Sequence, residues 1–149
     1  MNKLITLISA LTLSASVFAE VNIDHGYVRA VPPGQPNSAA FMTLKNGSSD
    51  NVALLSAESS VAKSVELHTH AHSDDGVMKM RRIPQVSMFG NETVELKPGG
   101  HHIMLIGLNR NLKQGEFVDL KLNFSDGTSK QLELPVEQVM AAMGKKHSH

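Results

Sequence analysis

Val118-Asp119-Leu120-Lys121-Leu122-Asn123-Phe124, then Ser125-Asp126-Gly127, then Leu132-Glu133-Leu134-Pro135-Val136, is the stretch that decides the fold class. Every second residue is apolar in both runs. Successive side chains of a β-strand point to opposite faces, so this spacing buries one face and leaves the other to water. Asp126-Gly127 between the runs is a turn signal, because both residue types tolerate positive φ. The pair reads as two antiparallel strands over a core.

Working outward, the same grammar repeats toward the N-terminus. Residues 101–106, 93–96, 86–88, 76–83, 64–70, 52–57, 38–44 and 21–30 each read as short strands. Pro98-Gly99-Gly100, Ser73-Asp74-Asp75, Asn46-Gly47 and Pro32-Pro33-Gly34 punctuate them, with Asn46-Gly47 expected to form a tight turn. About eight or nine strands with turn signals at intervals of roughly 8–12 residues form the signature of a sandwich or barrel. The one helical hint is residues 136–143. With 149 residues, no internal repeat and no interdomain linker, the chain reads as a single all-β domain able to bury a real core.

Composition narrows the function. Fourteen Lys and Arg balance fourteen Asp and Glu, so nothing points to nucleic acid or to an anionic membrane surface. There is no Cys, which excludes zinc ribbons, thiol–disulfide catalysis and a blue-copper site built on Cys. Eight His and eight Met stand against one Tyr and no Trp. A metal site here must be made of His, Met and carboxylates.

The N-terminus reads as a secretory signal peptide over 1–19. Lys3 supplies the positive start, residues 4–13 the apolar stretch, and Ser16-Val17-Phe18-Ala19 the small residues before a cut ahead of Glu20. The apolar stretch is too short to span a membrane, and no other stretch approaches the ~20 residues needed. A lipoprotein cut would need a Cys. The mature protein is expected to be soluble, exported and periplasmic, without membrane insertion, and monomeric. Its β-domain covers 20–136, with a flexible Met- and His-containing tail over 137–149.

The candidate site lies between residues 68 and 104. His102 and Met104 are an i, i+2 pair directly after Pro98-Gly99-Gly100, so they share a face at a strand end. Met78 and Met80 share another, and His68 and His70 a third, with His72 beyond. Lys79 and Arg82 stand among the methionines, so their strand is not buried on both faces, although one of Met78 and Met80 could still be core. Met42 and Met88 read as core. Thioether sulfur is soft and imidazole borderline, a mixture that suits Cu(I) far better than Mg, Ca or Mn. Thioethers need no deprotonation, but oxidation to sulfoxide would weaken such a site.

The chain resembles the PCuA(C)-type periplasmic copper chaperones, whose motif is written H(M)-x10-M-x21-H-x-M. His68, Met80, His102 and Met104 stand at that spacing. The likeness extends over nearly the whole mature chain, through Val28-Arg29-Ala30, Ala39-Ala40-Phe41-Met42-Thr43-Leu44-Lys45-Asn46, Gly76-Val77-Met78-Lys79-Met80-Arg81 and Leu96-Lys97-Pro98-Gly99-Gly100. It implies a cupredoxin-like Greek-key β-sandwich or barrel without the blue-copper cysteine. It also implies a Cu(I) site of His68, Met80, His102 and Met104, and delivery of copper to the CuA subunit of cytochrome c oxidase, commonly alongside a Sco-type protein. Thr69 departs from the pattern, since many members carry Met there.

His70, His72 and His101 are additional histidines that could recruit Cu(II) or Zn(II) nearby. Met140, Met143, His147 and His149 resemble the His/Met-rich extensions of some family members and could form a secondary metal position, although Lys145 and Lys146 oppose it. The main rival reading is a periplasmic Cu(II)/Zn(II)-sequestering resistance protein using these histidines and the tail. A second is a purely structural sandwich. Enzymatic activity is not expected, because no nucleophile lies in a recognisable motif.

Overall fold

The computed structural model describes residues 20–139. The leader expected over 1–19 and the tail residues Met140, Met143, His147 and His149, expected as possible secondary donors, lie outside the described residues. The protein is all-β. Ten strands run β1 (Val21–Arg29), β2 (Asn37–Asn46), β3 (Val52–Glu58), β4 (Ala62–His72), β5 (Met78–Arg82), β6 (Val86–Met88), β7 (Thr93–Leu96), β8 (His102–Leu108), β9 (Phe117–Phe124) and β10 (Ser129–Glu137). They correspond to the ten runs read along the sequence, which the tally of eight or nine undercounts.

The strands form an open path in the order β5-β4-β8-β2-β1-β10-β9-β3-β6, with β7 also paired to β2. Hydrogen bonding divides the path into two sheets, one of β1, β2, β4, β5, β7 and β8 and the other of β3, β6, β9 and β10. They meet where β1 and β10 run parallel, with Val28 beside Val136 and Arg29 beside Glu137. The sandwich expected from the strand pattern is therefore present.

The decisive alternation holds. Val118, Leu120, Leu122 and Phe124 of β9 and Leu134 and Val136 of β10 are buried. They join Ala40, Met42, Leu44, Leu67, Ile103 and Leu105 from the other sheet in one core cluster. Burying one such side chain fully is worth about 1.5–3 kcal/mol, so this layer outweighs any single surface interaction.

Two expectations are corrected. Asn46-Gly47 is not a positive-φ turn, since the positive values fall at other residues. Asn46 ends β2 with its side chain fully buried, and Nδ2 donates to the carbonyls of Asp50 at 2.7 Å and Phe89 at 3.0 Å. The helical hint at residue 136 also fails at its start. Val136 and Glu137 finish β10, because their backbone pairs with β1 and their alternation belongs to the sheet.

Candidate metal centre

The site grows from strand register. In the β4–β5 hairpin, His72 faces Met78, His70 faces Met80 and His68 faces Arg82. Between β4 and β8, His68 faces His102 and Glu66 faces Met104. Residues directly opposite on antiparallel strands share a face. Met80, His70, His68, His102 and Met104 therefore stand on one face of three adjacent strands. Ile103, Leu105 and Leu67 turn the other way, into the core. The register places the four motif residues on one face, and His70 with them.

His102 is the centre of the arrangement. It is buried, while Met80 is 46% exposed. Its ring centroid lies 5.3 Å from that of His70, 5.9 Å from His68 and 6.2 Å from Phe41. Its Nδ1–H donates to the Gly100 carbonyl at 3.0 Å, so Nε2 keeps the free lone pair. The Pro98-Gly99-Gly100 turn, with Gly99 at φ 84°, thus orients the ring as well as starting the strand. Burial first, then the nearby His70, His68 and Arg29, holds the His102 pKa below the usual imidazole value. A neutral imidazole at neutral pH is the form that can coordinate a metal.

His68 is fixed differently. Its Nε2 lies 2.7 Å from Oε2 of Glu66, whose other oxygen is 3.5 Å from Arg82 Nη1. The hydrogen bond from His68 lowers the Glu66 pKa, so the carboxylate accepts and Nε2 donates. In the neutral ring Nδ1 is then the free position. The Nδ1 atoms of both His68 and His70 are buried without a hydrogen-bond partner. Such orphaned nitrogens are uncommon in folded proteins and call for a partner.

Met80, His70 and His102 line a cleft of about 230 Å³, walled also by Arg29, Phe41, Pro98 and Gly99. Arg29 sits over the Phe41 ring at 5.9 Å. A larger cleft of about 440 Å³ at the Pro32-Pro33 turn is lined by no His or Met among the described residues. Met78 and Met80 are both exposed, so neither is core, whereas Met42 and Met88 are. His72 ends β4 exposed, and His101 is exposed in the turn before β8. Among the described residues no three His, Asp or Glu side chains gather closely enough to hold a metal ion by themselves. The thioethers of Met80 and Met104 are the further donors this face offers.

Comparison with known proteins fits this geometry. The sequence profile of the LpqE-like family, whose description is that of a lipoprotein, matches residues 21–136. The chain belongs to the LpqE-like family. A relative from Leifsonia xyli subsp. xyli, also named as a lipoprotein, is 31% identical over 122 residues, covering 82% of this chain and 72% of its own. An uncharacterized protein from Rickettsia prowazekii is 32% identical over 101 residues, covering 67% of this chain and 55% of its own. Among solved structures, Cu(I)-DR1885 from Deinococcus radiodurans superposes with a TM-score of 0.65 at 33% identity, covering 86% of this chain and 83% of that one. The copper-bound PCuAC domain from PmoF2 gives 0.69 at 20% identity, over 82% and 96%, and so speaks to the fold. The resemblance to the PCuA(C)-type family is borne out.

Sequence reasoning passed over Arg29, Phe41 and Glu66 as parts of this face. Glu66 was legible as the i−2 neighbour of His68. Arg29 and Phe41 come from distant strands, and nothing local marks them.

Proposed function

We propose that this protein is an exported copper carrier that binds Cu(I) as cargo through His68, Met80, His102 and Met104. The observation that carries the reading is the shared face. Two thioethers and the imidazoles stand together on β5, β4 and β8, with buried ring nitrogens lacking partners. Soft sulfur with neutral imidazole suits a monovalent, filled-shell ion that imposes little geometry. The Arg29 guanidinium on the cleft wall adds a second argument. Coulomb repulsion scales with charge, so a fixed cation opposes Cu(II) or Zn(II) twice as strongly as Cu(I).

In this reading the donors take Cu(I) near the surface, and a partner removes it by ligand exchange, as a site without thiolate permits. The partner we propose is the CuA subunit of cytochrome c oxidase or a Sco-type protein. Secretion by cleavage after Ala19 and a periplasmic location accord with the lipoprotein names of relatives, although this chain carries no Cys for lipid attachment. The exposed loading face and the lack of a nucleophile beside it favour a carrier over an enzyme.

An anaerobic Cu(I) competition titration tests this, comparing the native chain with Met80→Leu plus Met104→Leu. One tight site that weakens by orders of magnitude in the double variant is the expected result. Unchanged binding would move the site to the histidines and favour metal sequestration. Absence of binding in both would end the copper assignment.

A further inference from the structure

His70 stands outside the four-residue motif, yet it is the imidazole nearest His102. It lies directly across the hairpin from Met80. His70, Met80 and His102 line the same cleft, and neither His68 nor Met104 is among its lining residues. His70 Nδ1 is buried without a partner, a costly state unless something supplies the missing interaction. His68 Nδ1 is likewise buried without a partner, but its Nε2 is already committed to Glu66.

We propose that His70, Met80 and His102 form a distinct three-donor capture position at the mouth of the site, loaded before His68 and Met104 engage the ion. This rests on the Cu(I) reading above and adds a donor and an order to it. Two imidazoles and one thioether satisfy a filled-shell cation that accepts low coordination numbers. Met80 is the most exposed of these donors and the first to meet incoming copper, and His102 is the deepest. The His102 ring lies 5.3 Å from that of His70 and 5.9 Å from that of His68 and is shared by both positions, so the ion can pass inward by exchanging one donor at a time. Each step swaps one lone pair for another at the metal. No electron moves, and neutral imidazoles and thioethers release no proton.

The first measurement is nitrogen-resolved NMR of the imidazole rings in the native chain during an anaerobic Cu(I) titration, with Ag(I) as a redox-inert check. Perturbation of the His70 ring at the first equivalent, alongside His102, is expected. The second is Cu(I) affinity and stopped-flow uptake for His70→Ala, His70→Gln, His68→Ala and His72→Ala. Loss of groups that merely orient ligands costs about 10–100-fold in affinity, so loss of a direct donor should cost the position it serves at least about tenfold. His70→Ala and His70→Gln should slow uptake at least about tenfold while leaving the final affinity near native, because His68, Met80, His102 and Met104 hold the loaded ion, and His72→Ala should behave as native. A native His70 ring signal that does not move, with His70→Ala loading as native, would overturn the capture position. If Met80→Leu and His68→Ala still weakened binding, the Cu(I) reading would survive that result. A native chain that takes up no Cu(I) would sink both.

Discussion

Asn46 shows how much one side chain holds here. Besides its two donated bonds, its Oδ1 accepts from the Ser48 amide at 3.1 Å and hydroxyl at 3.0 Å. It thus clips the turn after β2 to the loop after β6. That junction is tight, since a Cβ added at Gly90 would lie 2.2 Å from the Ser49 carbonyl oxygen. Asn46→Ala removes the donors to two part-buried carbonyls, at about 1–3 kcal/mol per group left unsatisfied. A loss of about 2–4 kcal/mol in urea unfolding is expected; a loss under about 0.5 kcal/mol would mean that water replaces the clip. Asp119 gives a second prediction. Its carboxylate accepts from the Ser60 hydroxyl, and from the Ser60 amide at 3.0 Å. The hydroxyl bond is the main cause of its pKa being held below the ordinary 3.8. A carboxyl with a lower pKa folded than unfolded adds stability above pH 3.8, and that stability disappears as pH falls through the folded-state value. Asp119→Asn should therefore lower stability near neutrality and flatten the loss as pH falls below about 3.8. Parallel acid limbs for native and variant in pH-resolved urea titrations would exclude Asp119 as a contributor.

At the scale of elements, β5 is the working edge. It pairs only with β4 and is exposed along its length, with Met78 at 45% and Met80 at 46%. Met42 and Met88, at 1% each, lie in the core. Peroxide converts accessible thioethers to sulfoxide, so β5 should be oxidised first and the core methionines only on unfolding. Peptide mass spectrometry after brief peroxide treatment should show modified Met78 and Met80, native Met42 and Met88, and weakened Cu(I) binding. Early oxidation of Met42 would mean that the core opens. The same strands show what was legible. Pairings within a strand, such as His102 with Met104, follow from parity alone and are readable from sequence. Pairings between strands depend on register, which turns set. Counting outward equally from Asp75 places His70 opposite Met80, so the β4–β5 register was available in principle. The turn is closed by Ser73 N–H donating to the Val77 carbonyl at 3.0 Å, with Gly76 at φ 79°. The β4–β8 register had no such centre, because 29 residues separate His72 from His102 and three strands intervene. Asn46 misled for a related reason. Asn-Gly is a hairpin signal only when the flanking strands pair with each other, and here β2 pairs with β1, β7 and β8.

For the whole molecule, the proposed Cu(I) reading turns on where the donors stand. They stand on the face of the β5-β4-β8 layer that points away from the core, while Leu67, Ile103 and Leu105 on the same strands hold that core together. Loading chemistry and folding are thereby separated, and substitutions at exposed donors should change binding without undoing the sandwich. A ligand that binds only the folded state stabilises it by mass action, about 2.7 kcal/mol at one hundred times Kd. For a domain of this size that corresponds to a rise in melting temperature of roughly 10 °C. Anaerobic thermal unfolding of the native chain with excess Cu(I) should show this rise, and a chelator of higher affinity should reverse it. In Met80→Leu plus Met104→Leu, the metal-free melting temperature should stay within a few degrees of native, since Leu keeps the apolar volume and Met80 is half exposed. The Cu(I)-dependent rise should shrink to near zero. A double variant that melts like native without metal and still gains the full rise would place the cargo on imidazoles alone. A double variant that is destabilised without metal would show that the two thioethers serve the sandwich as well as the site.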